Sequence, residues 1–301
     1  MDSIGRTAAI FLLAGASFAQ PSTIASASPA PGELVRKAVE NEIKASQDDS
    51  ARFMFRSTRT KSGGAVTKLF IETKEATAGI VVAYDGKPLT AEQRQDEHAR
   101  IERFLTNPEE MEKKRRQEQV DADRTQRIVR AFPDAFLYEY AGEQIGSPGV
   151  GKAGAVLVAL KFHPNPHYDP PSRIEQVLTG MQGILLLDAR HSRLASIDGT
   201  LFKEVGFGWG ILGHLDKGGH FLVQQQEVSN DYWSVSRTNV NTSGKFLLFK
   251  SFAFSMSEVF SDFKPVAKDI TFAQAVEMLE KEASVIAEPS AAGGTKDPSA
   301  R

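Results

Sequence analysis

The stretch Gly244 to Met256, GKFLLFKSFAFSM, constrains the fold more than any other part of the chain. Read as one strand, it sets Phe246, Leu248, Phe252, Phe254 and Met256 on one face and Leu247, Phe249 and Ala253 on the other. Both faces are apolar, so the strand needs cover on two sides. The surrounding region, Gly180 to Phe263, is rich in strand patterns and short of apolar helices. One face is therefore expected to be covered by something the chain does not encode, and an apolar cargo meets that requirement.

With 301 residues, 41% of them hydrophobic, the chain can bury a substantial core. Its 36 basic and 38 acidic side chains leave a formal charge of −2, which sets aside nucleic acid and an anionic membrane surface as electrostatic partners. The absence of cysteine removes disulfides, thiolate metal ligands and thiol nucleophiles, and leaves no acylated anchor behind the leader. That leader is Arg6, an apolar run from Ala8 to Ala16, and Ser17-Phe18-Ala19, which reads as a signal peptide spanning residues 1–19. The run falls short of the ~20 residues of a spanning helix. A periplasmic or secreted protein, soluble after cleavage, is the expectation.

Residues 20–32 read as a disordered lead and 288–301 as a disordered tail, leaving a single domain over 33–287. Glu33 to Ser46 has helical spacing. Strand patterns follow at Arg52 to Lys61, Ala65 to Lys74 and Thr77 to Asp85, joined by glycine turns that favour antiparallel hairpins. A helical insertion over residues 90–131 is densely charged and breaks at Asn107-Pro108 into two helices. It reads as a solvated arm, or as a lid touching the sheet only through the stripes Ile101, Phe104, Leu105 and Ile128, Val129, Phe132. Strands resume at Ala135 to Gly142, Gly154 to His163, Met181 to Ala189, Arg193 to Glu204, His220 to Val228, Tyr232 to Val240 and Lys245 to Met256, with a turn at Asn241 to Gly244. Thr271 and Gln274 stand in capping-box spacing at the start of a closing helix that ends at Ala287.

No catalytic constellation emerges, so no catalytic residue, metal or cofactor is assigned and the chain reads as a non-enzyme. Gly208, Gly210 and Gly213 satisfy G-x-G-x-x-G, yet a strand-rich run follows where a phosphate-binding helix would have to open. His163 and His167 stand four apart, but Pro164 and Pro166 forbid the helix that would place both imidazoles on one metal. Trp209, Tyr232 and Trp233 read as sheet packing in the absence of a basic groove.

The order of elements from Glu33 to Phe263, together with Met181 to Leu201, MQGILLLDARHSRLASIDGTL, and Asn239 to Lys250, resembles the Lol-type lipoprotein carriers, the outer-membrane lipoprotein-sorting family. The resemblance implies an α+β fold: an antiparallel, incomplete, half-open β-barrel with helices covering its concave face. It implies an apolar hollow for acyl chains, closed by helices when empty. Phe53, Phe55, Leu69, Ile71, Val81, Phe246, Leu248 and Phe252 are the expected wall, with Phe104 and Leu105 on the cover. The expected partners are lipid or lipoprotein cargo, an envelope protein and, transiently, a membrane. The alternative is an envelope sensor or protein-binding module on the same fold. The chain departs from the small carriers in its size, its longer charged helices and its extra C-terminal helix.

Overall fold

The structure, a computed structural model, describes residues 29–207, 212–229, 232–246 and 250–287. The expected signal segment, most of the lead and the tail 288–301 lie outside them. The described residues combine five α-helices with a 13-stranded sheet whose strand pairs are all antiparallel and which does not close. It opens with α1 (Pro31–Ser46), which starts inside the expected lead because Pro31 suits the first turn of a helix. Strands β1 (Arg52–Lys61), β2 (Gly64–Ile71), β3 (Ala78–Tyr84) and β4 (Lys87–Pro88) form a meander.

Helices α2 (Ala91–Thr106) and α3 (Pro108–Ala135) part at Asn107, whose side chain accepts from the backbone of Glu109 and Glu110. The second meander is β5 (Phe136–Ile145), β6 (Val156–Pro164), β7 (Met181–Asp188) and β8 (Arg193–Leu201), with α4 (Arg173–Gln176) before β7. Two short strands, β9 (Val205–Phe207) and β10 (Gly213–Leu215), precede β11 (His220–Ser229), β12 (Tyr232–Phe246) and β13 (Lys250–Val266). α5 (Phe272–Ala287) is capped by Thr271 and Gln274.

Across the sheet the order is β4-β3-β2-β1-β13-β12-β11-β8-β7-β6-β5, so the last strand returns to pair with the first. β4 and β5 therefore lie at opposite edges, and the helical insertion carries the chain between them. At 1.5 Å per residue α3 is about 42 Å long, enough to cross most of the sheet. It is fastened on the way: Glu118 accepts from the Thr77 N–H at 3.1 Å, and Gln126 donates to Ser46 at 3.0 Å. Neither a free arm nor a lid held only at its ends matches these contacts.

The stretch that dominated the sequence is two strands. Lys245 and Phe246 finish β12, Lys250 begins β13, and the turn expected at Asn241 to Gly244 is internal to β12. Nothing between Phe246 and Lys250 is a glycine, proline or asparagine, so the reversal carries no turn chemistry in the sequence.

Two large cores hold the molecule, with a small third cluster of Leu157, Ala159, Leu186 and Ala195 beside them. One joins Val35, Ala38 and Val39 of α1 and Phe132 of α3 to Leu160, Phe162, Leu185, Leu187 and Leu194 of β6 to β8. The other joins Leu69, Ile71, Ala78 and Ile80 of β2 and β3 to Phe272, Val276 and Leu279 of α5. These cores sit on opposite faces. Cross-strand partners run from Ile197 through Val223, Thr238 and Glu258 to Arg59, and alternation along β1 then reaches Ser57, Phe55 and Phe53. Phe55 pairs with Phe70, so Leu69 and Ile71 point the other way. The helices are thus divided between the two faces. α2 lies along the outer edge of β3, where Glu97 accepts from the Val81 N–H at 2.6 Å and Arg100 donates to the Gly79 carbonyl at 2.7 Å. Those bonds satisfy edge groups that would otherwise invite another strand.

Candidate functional site: a hollow between the helices and the sheet

Where α1 ends, its packing surface shrinks from Val35 and Val39 to Ala45 and Ser46, and α3 faces it with Thr125 and Gln126 before Ile128 and Val129. Short side chains on both helices leave the sheet unfilled beneath them. The result is a cavity of about 550 Å³, roofed by Ile43, Ile128, Val129 and Phe132 and floored by Leu194, Ile197, Phe221, Val223 and Val235. Its size falls within the roughly 300–1,000 Å³ of ordinary small-molecule pockets. A second cavity of about 320 Å³ adjoins it, sharing Ala45, Arg193, Trp233 and Ser234 and extending to Phe53, Glu72 and Phe263.

The junction between the two is polar and tightly bonded. Glu42 of α1 accepts from Arg193 Nε at 2.8 Å and Nη2 at 3.1 Å, and from the Leu194 N–H at 2.9 Å. The Arg193 guanidinium lies over the Trp233 ring, 5.4 Å from its centre. Asp188, fully buried, accepts from the Arg190 and His191 N–H groups and from the His191 ring, which fixes the turn leading into Arg193. Trp233 Nε1 is buried without a hydrogen-bond partner among the described residues. At the far end Glu72 accepts from the Phe53 N–H at 3.0 Å, and burial pushes its carboxyl above the ordinary carboxylate range.

The expected wall residues are scattered, and none of those among the described residues lines the larger cavity. Phe53 lines the smaller one. Phe55 stacks among Phe70, Phe260 and Phe263 at 5.3, 6.2 and 5.5 Å on the same sheet face. Leu69 and Ile71 are buried in the α5 core on the opposite face, because their parity on β2 is that of the other side. Val81 sits at the β3 edge under α2. Phe104 packs toward the α5 core with Arg100 and Lys114 against its ring, and Leu105 is 41% exposed, so neither covers the hollow. Phe246 is exposed, Phe252 is half-buried against it at 5.3 Å, and Leu248 lies outside the described residues.

The residues that do line the hollow left two signals in the sequence. The stripe Ile128, Val129, Phe132 is one, and the alternation of Phe221 and Val223 along β11 is the other. Neither says which helix meets which strand.

As for other chemistry, Gly208 and Gly210 lie outside the described residues, and Gly213 belongs to β10 rather than to a helix start. His163 Nε2 stands 3.8 Å from Glu139, and His167 has its N–H on Asn165. Among the described residues one group, Glu204, His214 and Asp216, has ligand atoms close enough to share an ion. His214 Nε2 lies 3.7 Å from Glu204 and 3.3 Å from Asp216, as an imidazole between two carboxylates does without a metal.

No helix among the described residues is long and apolar enough to cross a membrane. A comparison of the chain with protein-family models and with curated proteins finds no match.

Proposed function

We propose that the chain is a non-enzymatic carrier, exported to the periplasm, that holds the acyl chains of a lipid or lipid-modified protein in the hollow between α1, α3 and the sheet. One observation carries the reading. β11, β12 and β13 occupy the middle of the sheet, yet no apolar side chain on them is buried among the described residues. Central strands are ordinarily the best covered part of a sheet. Here the helices pack on the flanks and the centre keeps its apolar face beside a cavity of about 550 Å³. Hydrocarbon placed there gains roughly 25 cal/mol for each Å² removed from water. In this reading the sheet is the wall of a half-open barrel and α1 and α3 are its cover, as the resemblance to the Lol-type carriers implies.

The test is binding of an apolar fluorescent probe to the purified chain, with displacement by a fatty acid. Val223→Trp projects an indole into the cavity floor and is expected to lower probe affinity at least tenfold while thermal unfolding stays cooperative and no lower in temperature. Unchanged probe affinity in that variant would remove the hollow as the site. Lipid-free protein that enriches one envelope protein in a pull-down would instead support the sensor alternative.

A further inference from the structure

We infer that the overhanging part of β12 and β13 that bears Phe246, Phe252 and Phe254 docks on an anionic lipid bilayer. The hairpin outruns its neighbours. β12 and β13 pair as far as Phe246↔Lys250, whereas β1 stops at Lys61↔Met256. Among the described residues no strand pairs with 250–255 of β13 on that flank, an overhang of about 20 Å at ~3.3 Å per residue. On the other flank β11 stops at His220↔Asn241, and among the described residues only the three-residue β10 accompanies Gly244 to Phe246.

What the overhang presents is apolar and positive together. Phe246 is 59% exposed and Phe254 38% exposed, and the register Gly244↔Phe252, Thr242↔Phe254 puts both on one face with Phe252. Lys250, the exposed partner of Phe246, lies on this face, Lys61 extends its ammonium over the Phe254 ring at 5.9 Å, and Lys245, also exposed, projects from the opposite face beside them. From Tyr232 to Ser257 the sequence contains no acidic residue. The acids nearest this end, Glu204 and Asp216, gather around His214 of β10, the partner of Lys245, on the face opposite the rings, so the ring-bearing face carries Lys61 and Lys250.

Aromatic rings framed by lysines match the depth profile of a bilayer surface, where rings sit at the headgroup level and ammonium groups meet lipid phosphates. The same lysines disfavour the rival occupant, a second copy adding its own β13 to the free flank, since like charges would then face each other. The purpose of the docking rests on the carrier reading: Phe246, Phe252 and Phe254 share the sheet face that leads through Met256 and Thr238 to Val223 in the hollow. Its geometry does not.

Sedimentation of the chain with vesicles tests it. Binding is expected to vesicles of equal parts phosphatidylglycerol and phosphatidylcholine, to weaken with added salt, and to be far lower on phosphatidylcholine alone. Each lysine contributes about fivefold at such a surface, so Lys245→Glu with Lys250→Glu should cost well over twentyfold. Phe246→Ser, at an exposed position, should cost about tenfold without changing thermal unfolding. Equal vesicle binding by wild type and both variants, or none by wild type, overturns the inference. So does concentration-dependent dimerisation abolished by the same lysine changes. Probe binding in the hollow is expected to survive in both variants. Vesicle binding without probe binding would defeat the carrier reading alone, and probe binding without vesicle binding would defeat the docking alone.

Discussion

Glu72 is the residue at which the hollow meets the acid–base balance of the fold. It lines the smaller cavity and accepts from the Phe53 N–H, while burial raises its pKa against the opposing pull of that bond and of Arg52. A carboxyl raised in the folded state binds its proton more tightly folded than unfolded. Its stabilising contribution is complete below the ordinary value of 4.5 and is lost as pH rises through the raised folded value. Glu72→Gln keeps an acceptor for Phe53 and has no charge to desolvate. The difference in unfolding free energy between variant and wild type is expected to shift in favour of the variant from about pH 4 upward and then level off. Urea denaturation across that window reads it. A difference that is flat, or moves toward wild type, would mean that Glu72 is solvated or paired. Lys68 shows the mirror case: burial first, then the nearby Arg100, pull its ammonium below the ordinary lysine range at the wall of a small pocket beside Phe70.

α5 shows at the scale of the element how the two faces divide the work. Its Leu279 is 1% exposed in the core with Leu69, Ile71 and Ile80, on the face opposite the hollow. Leu279→Ala should cost about 2–5 kcal/mol of stability through lost burial and the cavity left behind. Because that core meets α3 only through Met111 in its first turn, far along the helix from Thr125 to Phe132 at the hollow, and does not include α1, probe affinity in the hollow should stay within about twofold wherever the variant is folded. Urea midpoints and probe titration on the same sample decide it, and loss of both together would make the two cores one unit. The elements themselves were legible. The break at Asn107-Pro108, the Thr271/Gln274 cap and the glycine turn before β2 each carry their own local chemistry. Facing was not. Phe53 and Leu69 are both apolar residues on strands, and only the pairing of β1 with β2 and β13 assigns them to opposite sides. The hairpin end of β12 and β13 was hidden for a different reason: an apolar run without turn residues reads as one strand, and its flanking lysines vanish into a balanced total charge.

Taken whole, the molecule places its best-packed layers on the flanks of one sheet and its thinnest cover at the centre. Leu157, Leu160, Leu185 and Leu187 lie at 0–1% exposure in β6 and β7, and Ile71 is fully buried in β2, whereas among the described residues β13 buries only Glu258, held by Ser57 at 2.5 Å and Arg59 at 2.9 Å. Opening free energy follows buried apolar contact rather than position in the strand order. Amide exchange is therefore expected to be slowest in β2, β6 and β7 and faster in β11 to β13, although each of the latter lies between two neighbouring strands over part of its length. Hydrocarbon in the hollow covers Phe221, Val223 and Val235, so saturation with a fatty acid should slow exchange in β11 and β12 and leave β2 and β3, on the α5 side, unchanged. Protection that is uniform across the sheet without ligand, or that rises equally at both flanks with it, would mean that the centre is as well packed as the edges. An apolar cargo would then have nothing to complete.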